Sequence, residues 1–125
     1  MFEAVAATLP AADIDRAIAF YRDQLGLEPS DRGGDGSATY EVGSTVLMVY
    51  PSAFAGTNQA TGAGFEVTDI DATVGQLRGR GVTFEDLSYG EVSTVKGIMT
   101  MPDGTRGAWF KDTEGNVLGV FQRAA

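Results

Sequence analysis

The spacing of apolar residues predicts two short helices. Apolar positions three and four residues apart indicate the first helix: Ile14, Ala17, Ile18, Tyr21 and Leu25. The second helix has the same kind of spacing, at Ile70, Val74 and Leu77. Asp13 stands where the N-cap of the first helix belongs, and Gly26 and Gly81 stand where the two helices should end. Each helix is therefore expected to be amphipathic, with one face buried on a sheet.

Short apolar runs bounded by turn residues predict the strands. In the first half they cover residues 2–9, 27–30, 38–42 and 45–50, and Pro10 is expected to stop the first of them. In the second half they cover residues 65–67, 82–84 and 97–101, with a polar loop at 86–96 before the last. A closing hairpin spans Arg106 to Gln122, with its turn at 112–116, where Asp, Gly and Asn suit a tight connection.

The two halves of the chain repeat one pattern. Asp69-Ile70-Asp71 repeats Asp13-Ile14-Asp15 after 56 residues, at the start of the second helix. A half-length repeat of this kind predicts two similar units. We predict an α+β fold of two βαβββ modules that form curved mixed sheets around a cleft. The modules form one domain over residues 1–125, with module 1 at about 1–51, a linker at 52–62 and module 2 at about 63–125.

Two segments carry a resemblance to a known superfamily. Residues 13–27 (DIDRAIAFYRDQLGL) and the pattern Phe110-x-Asp112-x-x-Gly115-Asn116-Val117 resemble the vicinal oxygen chelate superfamily. This superfamily includes glyoxalase I, bleomycin-resistance proteins, fosfomycin-resistance enzymes and extradiol dioxygenases. The resemblance implies the paired βαβββ fold and a homodimer that pairs modules across subunits.

Composition limits the partners and the chemistry. The net charge of −8 and the pI near 4.3 disfavour nucleic acid and anionic membranes, which attract clustered Lys and Arg. No apolar run approaches the roughly 18 residues of a membrane span, and no basic signal-peptide region precedes residue 4, so a cytoplasmic protein is expected. The chain has no cysteine and no histidine, which excludes Ser-His-Asp and Cys-His catalysis.

The resemblance also implies where a metal would bind. Superfamily enzymes hold one divalent ion with His, Glu or Gln, one from each of four strands. The matching positions here are Ala6, Met48 or its neighbour Leu47, Gly62 and Gly119. None of these side chains is a His, Glu or Gln, so we expect no metal and no cofactor.

An apolar, aromatic cleft is the predicted ligand site. Strand alternation directs Phe110 to the core and Trp109 and Lys111 to the cleft. The expected lining residues are Ala6, Thr8, Met48, Tyr50, Phe54, Met99, Met101, Trp109, Lys111, Gly119 and Phe121. Trp and Met side chains suit adaptable binding of a flat or hydrophobic molecule. The alternative is that the same side chains fill the cleft as a second core.

Three functions follow from these features. The leading hypothesis is metal-independent binding of a small hydrophobic or aromatic molecule, with drug sequestration as in the resembling bleomycin-resistance branch. The second is a lyase, isomerase or dioxygenase-like enzyme, with Glu66 or a tyrosine as acid or base. Glu66 either lies in the apolar cleft, where burial would suit a general base, or lies at a solvated edge or pairs with an arginine. The third is a surface-interaction module with a filled cleft.

Overall fold

The computed structural model describes residues 1–125, which form two four-stranded sheets, each covered by one helix. The first sheet contains β1 (Ala7–Ala11), β2 (Asp31–Arg32), β3 (Ala38–Val42) and β4 (Thr45–Pro51), in the order β1-β4-β3-β2. The second contains β5 (Thr61–Glu66), β8 (Met99–Thr100), β9 (Arg106–Lys111) and β10 (Val117–Gln122), in the order β5-β10-β9-β8. A small hairpin, β6 (Ser88–Tyr89) and β7 (Val92–Ser93), stands apart. Strand order is the same in both sheets, and the predicted α+β fold class is confirmed.

Both helices begin where the sequence predicts. The α1 helix runs over Ile14–Asp23 and α2 over Ile70–Gly79. The side chain of Asp13 accepts a hydrogen bond from the Arg16 N–H, and that of Asp69 accepts one from the Ala72 N–H, both at 3.1 Å. These caps satisfy N–H groups that the first helical turn leaves free. Neither helix is long and apolar enough to cross a membrane.

Several strand predictions differ from the structure. The first strand begins at Ala7, β5 begins at Thr61 inside the predicted linker, and residues 82–84 contribute only an isolated bridge at Phe84. Pro10 does not stop β1, which continues to Ala11. It is tolerated because β1 is an edge strand that pairs only with β4, so a missing N–H costs no ladder bond on the other side. The strand predicted at 27–30 instead lies at β2, over Asp31–Arg32. The predicted polar loop at 86–96 contains the β6–β7 hairpin.

One core joins the two modules. It contains 18 buried residues from both halves of the chain, including Leu9 and Val49 of the first sheet and Phe110 and Leu118 of the second. These residues alternate along their strands and face the helices. The opposite face of each sheet carries no helix and is free to form a site.

Candidate ligand-binding cleft

The helix-free face of the second sheet forms an open cleft of about 1180 Å³. Trp109 and Lys111 of β9 line it, while Phe110 between them is fully buried in the core. Phe121 of β10 and Met99 of β8 lie on the same face, because Gly107 of β9 pairs with both of them. The cleft is therefore built on one sheet, with a floor that is largely aromatic and thioether.

The predicted site residues divide into two groups. Met99, Met101, Trp109, Lys111 and Phe121 line the cleft. The other group lies outside its lining: Ala6, Thr8, Met48, Tyr50, Phe54 and Gly119. Gly119 is buried directly beneath the indole of Trp109, whereas Thr8, Met48 and Tyr50 share the helix-free face of the first sheet. Phe54 is exposed at 76%.

Most of the residues that line the cleft were not predicted from the sequence. The additional lining residues are Gly56, Asn58, Gln59, Ala60, Thr61, Glu85, Leu87, Ser88, Tyr89, Thr105, Arg106, Gly107, Gly115 and Val117. Gly107 and Val117 could have been found from strand alternation, since each is two residues from a predicted site residue. The loop at 56–60 and the β6–β7 hairpin reach the cleft through tertiary packing, for which the sequence gives no signal.

Each charged side chain of the cleft is paired with an opposite charge. Its charged lining residues are Glu85, Arg106 and Lys111. The Lys111 ammonium lies 3.8 Å from the Glu85 carboxylate, and Arg106 donates two hydrogen bonds to Asp71, at 2.8 and 3.0 Å. The net charge of −8 is therefore not concentrated at this site, and the lining of the cleft is not acidic.

Glu66 lies away from the cleft lining. Its side chain is 47% exposed, and its carboxylate is 2.9 Å from the guanidinium of Arg123. This is the second of the two environments considered for Glu66 from the sequence. The geometry gives no support for a general base in an apolar cleft.

The four positions matching superfamily metal ligands do not fit a metal ion. A Cβ on Gly119 would lie 3.1 Å from the indole Nε1 of Trp109, and one on Gly62 would lie 2.7 Å from Cδ2 of Leu9. Neighbouring side chains therefore occupy the room that a longer side chain would need. Ala6 and Met48 offer no oxygen or nitrogen ligand in their side chains. Elsewhere in the structure, no group of three or more His, Cys, Asp and Glu residues is arranged to hold a metal.

A buried polar cluster lies where the turn of the closing hairpin meets α1. Its members are Tyr21, Asp112, Glu114 and Asn116. Asp112 accepts hydrogen bonds from the Tyr21 hydroxyl at 2.5 Å and from the N–H groups of Glu114 and Asn116 at 2.9 Å. The Asn116 amide donates to Pro10 O of β1 at 2.8 Å. Burial, with the nearby Asp112 carboxylate, raises the pKa of Tyr21 far above its usual value, so its hydroxyl stays a donor.

Glu114 extends this cluster to the start of α1. Its carboxylate accepts hydrogen bonds from the Arg16 guanidinium at 2.8 and 3.1 Å and from the Asp13 N–H at 2.8 Å. Burial alone would raise the pKa of Glu114, but the hydrogen bonds from Arg16, Asp13 and Thr113 outweigh it and hold this pKa at about 2. The polar residues of the hairpin motif therefore hold the two modules together, whereas Gly115 and Val117 of the same motif line the cleft.

Two helix-covered βαβββ sheets, one with an open aromatic face, define a paired-module class of α+β proteins. The chain belongs to the Glyoxalase/Bleomycin resistance protein/Dioxygenase superfamily, whose family model matches residues 4–120. This confirms the resemblance seen in the helix and hairpin motifs. Among curated proteins, no sequence matches the chain.

Solved structures share the fold at low sequence identity. Lactoylglutathione lyase from Agrobacterium tumefaciens is 20% identical, with a TM-score of 0.72 over 97% of this chain and 94% of that one. TnmS3, an antibiotic binding protein from Streptomyces sp. CB03234, is 21% identical, with a TM-score of 0.70 over 99% and 98% of the two chains. The fosfomycin resistance protein FosX from Listeria monocytogenes is 10% identical, with a TM-score of 0.70 over 99% and 95%. These neighbours comprise an enzyme, a binding protein and a resistance protein, and at these identities they establish the fold alone.

Proposed function

We propose that this protein binds a small hydrophobic or aromatic molecule in the cleft of the second sheet, without a metal ion. The observation that carries the proposal is the partly exposed indole of Trp109 at the floor of an open cleft of about 1180 Å³. Ligand sites are concave, largely apolar and provided with a few polar groups. Phe121 and Met99 extend the apolar floor, and Asn58 and Gln59 supply hydrogen-bonding groups at the rim.

The absence of suitable ligands at Ala6, Met48, Gly62 and Gly119 supports the metal-independent form of this proposal. The acid–base enzyme alternative is less well supported, because Glu66 pairs with Arg123 at the surface. The carboxylate that does line the cleft, that of Glu85, lies beside the Lys111 ammonium. Binding requires none of these groups to exchange a proton.

We further propose that the active form is a homodimer. The helix-free face of the first sheet carries Thr8, Met48 and Tyr50, which are exposed or half-buried in the single chain. Val46 on the same strand is 37% exposed. A second copy that laid this face over the cleft would shield both apolar surfaces, and it would bring Thr8, Met48 and Tyr50 to the ligand.

The test of binding uses Trp109, which is the single tryptophan of the chain. Calorimetric titration with anthracene-2-carboxylate should give saturable binding. Trp109→Leu should weaken it by more than about 1 kcal/mol, as expected for an aromatic anchor that the ligand covers. Val95→Ala is a matched control, because Val95 is 72% exposed and lies outside the cleft lining. Equal affinity in the wild type and Trp109→Leu would contradict this location of the site.

The dimer is tested separately by sedimentation velocity. The wild type should sediment as a dimer at micromolar concentration, and Tyr50→Arg should shift it toward the monomer and weaken probe binding. Circular dichroism should show that the variant keeps its fold, since Tyr50 lies outside the core. A monomeric wild type with full probe affinity would refute the dimer and leave the cleft proposal intact.

A further inference from the structure

The indole of Trp109 rests on two residues without side chains. A Cβ on Gly107 would lie 3.0 Å from Cη2 and 3.3 Å from Cζ2 of the ring, and a Cβ on Gly119 would lie 3.1 Å from Nε1 and 3.2 Å from Cδ1. Gly107 precedes Trp109 on β9, and Gly119 faces Trp109 across the β9–β10 pair. The six-membered end of the indole therefore lies over one glycine and the five-membered end over the other.

The similar distances from the two Cβ positions to the two ends of the indole define the orientation of the ring. Because both ends lie close above the backbone, the indole lies along the sheet instead of standing on it. Neither glycine has a positive φ, so other residues could adopt its backbone conformation. What the site requires at Gly107 and Gly119 is the space above them.

Phe121 extends this flat floor. A Cβ on Gly64, the β5 partner of Gly119, would contact Cδ1 and Cε1 of the Phe121 ring, both at 3.4 Å. A second aromatic ring on the same face thus packs against a glycine. Both rings line the cleft, so the surface that they offer to a ligand is wide, shallow and aromatic.

We propose that Gly107 and Gly119 are positioning residues that hold Trp109 as a flat stacking platform, and that the cleft selects planar, fused-ring aromatic molecules. The inference rests on the proposed function, because it specifies the ligand of the same cleft. A planar ring system makes face-to-face contact with the indole over its whole area, and offset stacking adds to the gain from apolar burial. A saturated ring system of the same carbon skeleton is puckered and makes only part of this contact.

The test compares two probes with one skeleton and one charge. Anthracene-2-carboxylate is planar, and perhydroanthracene-2-carboxylate is not. Calorimetry on the full chain should give at least about fivefold tighter binding of the planar probe. Binding of both probes with equal affinity would refute the platform while leaving the proposed function standing, whereas binding of neither probe would refute the proposed function itself.

Two variants test whether the preference for the planar probe comes from the flat indole. Gly119→Ala should tilt the indole and reduce the ratio of the two affinities to about twofold or less, with a changed near-ultraviolet circular dichroism of Trp109. Gly75→Ala is the matched control, since a Cβ there meets nothing within 4 Å and it lies on α2. If Gly119→Ala fails to fold, Trp109→Leu serves instead, because it removes the ring and leaves the backbone unchanged. Unchanged selectivity in either folded variant would overturn the assignment.

Discussion

The two sheets have the same strand order but differ in the residues that their helix-free faces carry. The strands of the second sheet contain four glycines, Gly62, Gly64, Gly107 and Gly119, and those of the first contain none. On the helix-free face of the second sheet, Gly119 pairs with Trp109 across the β9–β10 pair. On the same face of the first sheet, Met48 pairs with Thr39 across the β3–β4 pair. One module therefore places a large ring over small residues, and the other places medium-sized side chains side by side. The same fold therefore makes a cleft where bulk is concentrated in a few aromatic residues.

The hairpin turns of the two modules differ as well. The β3–β4 turn of the first module is the exposed pair Gly43-Ser44. The β9–β10 turn of the second contains the buried polar residues Asp112, Glu114 and Asn116. The second module thus contributes both the cleft and the contact that fixes the first module. Substitutions in the turn should therefore affect stability most, and substitutions in the cleft should affect binding most.

The largest effect is expected at Asp112. Asp112→Ala leaves the Tyr21 hydroxyl and the N–H groups of Glu114 and Asn116 without their acceptor in a buried site, so it should lower the free energy of unfolding by at least about 3 kcal/mol. Urea unfolding followed by circular dichroism measures this loss. Asp112→Asn should cost less, because the amide oxygen still accepts from the backbone. A loss below about 1 kcal/mol for the Ala variant would refute the structural role of the turn.

The next effect is a pH dependence that comes from Glu114. Its pKa is about 2 in the folded chain against an ordinary value of 4.5, so its stabilisation is complete above pH 4.5 and is lost as the pH falls toward 2. Since Arg16 is 52% exposed and screened by water, we expect a loss of about 2 kcal/mol over this window. Urea unfolding at successive pH values should show a shallower acid decline for Glu114→Gln. Identical declines would contradict the depressed pKa.

Local features of the fold could be predicted from the sequence, and contacts between distant segments could not. The helix caps Asp13 and Asp69 and the hairpin at 106–122 were predictable, because capping, helical spacing and turn chemistry are local signals. Pro10 misled because a proline stops an inner strand but not an edge strand, and strand order is not visible in one sequence. The hairpin motif was recognisable in the sequence. Its hydrogen bonds to the start of α1 and to β1 were not, because they join residues about 100 positions apart in the chain.

The cleft was predictable on one sheet only. Alternation oriented Trp109, Lys111 and Phe121, because side chains on a strand change face with each residue. The loop at 56–60 and the β6–β7 hairpin were missed, since tertiary packing brings them to the sheet. The side chains of Leu9 and Trp109 occupy the space above Gly62 and Gly119, which only the folded neighbours could reveal.

A smaller stability change should distinguish Gly119, which lies beneath the indole of Trp109, from Gly75, which has no close neighbour. Gly119→Ala inserts a methyl group 3.1 Å from Nε1 of Trp109, so it should lower the free energy of unfolding by about 1–3 kcal/mol through overpacking. Gly75→Ala, in the open on α2, should raise it by up to about 1 kcal/mol through helix propensity. Urea unfolding of the two variants compares them directly. Changes of the same sign would refute the close packing at Gly119.

The smallest effect is expected for the ion pair in the cleft. Lys111 and Glu85 lie 3.8 Å apart with side chains 58% and 35% exposed, in contrast to the buried carboxylate that Arg16 binds. Because water and salt screen such a pair, Lys111→Met should change the free energy of unfolding by less than about 0.5 kcal/mol. Urea unfolding at low and high salt, with Glu85→Gln and the double variant, isolates the coupling between the two side chains. A coupling above about 1 kcal/mol would mean that the pair helps to hold the cleft together, and the division between a stabilising turn and a binding face would then fail at Lys111.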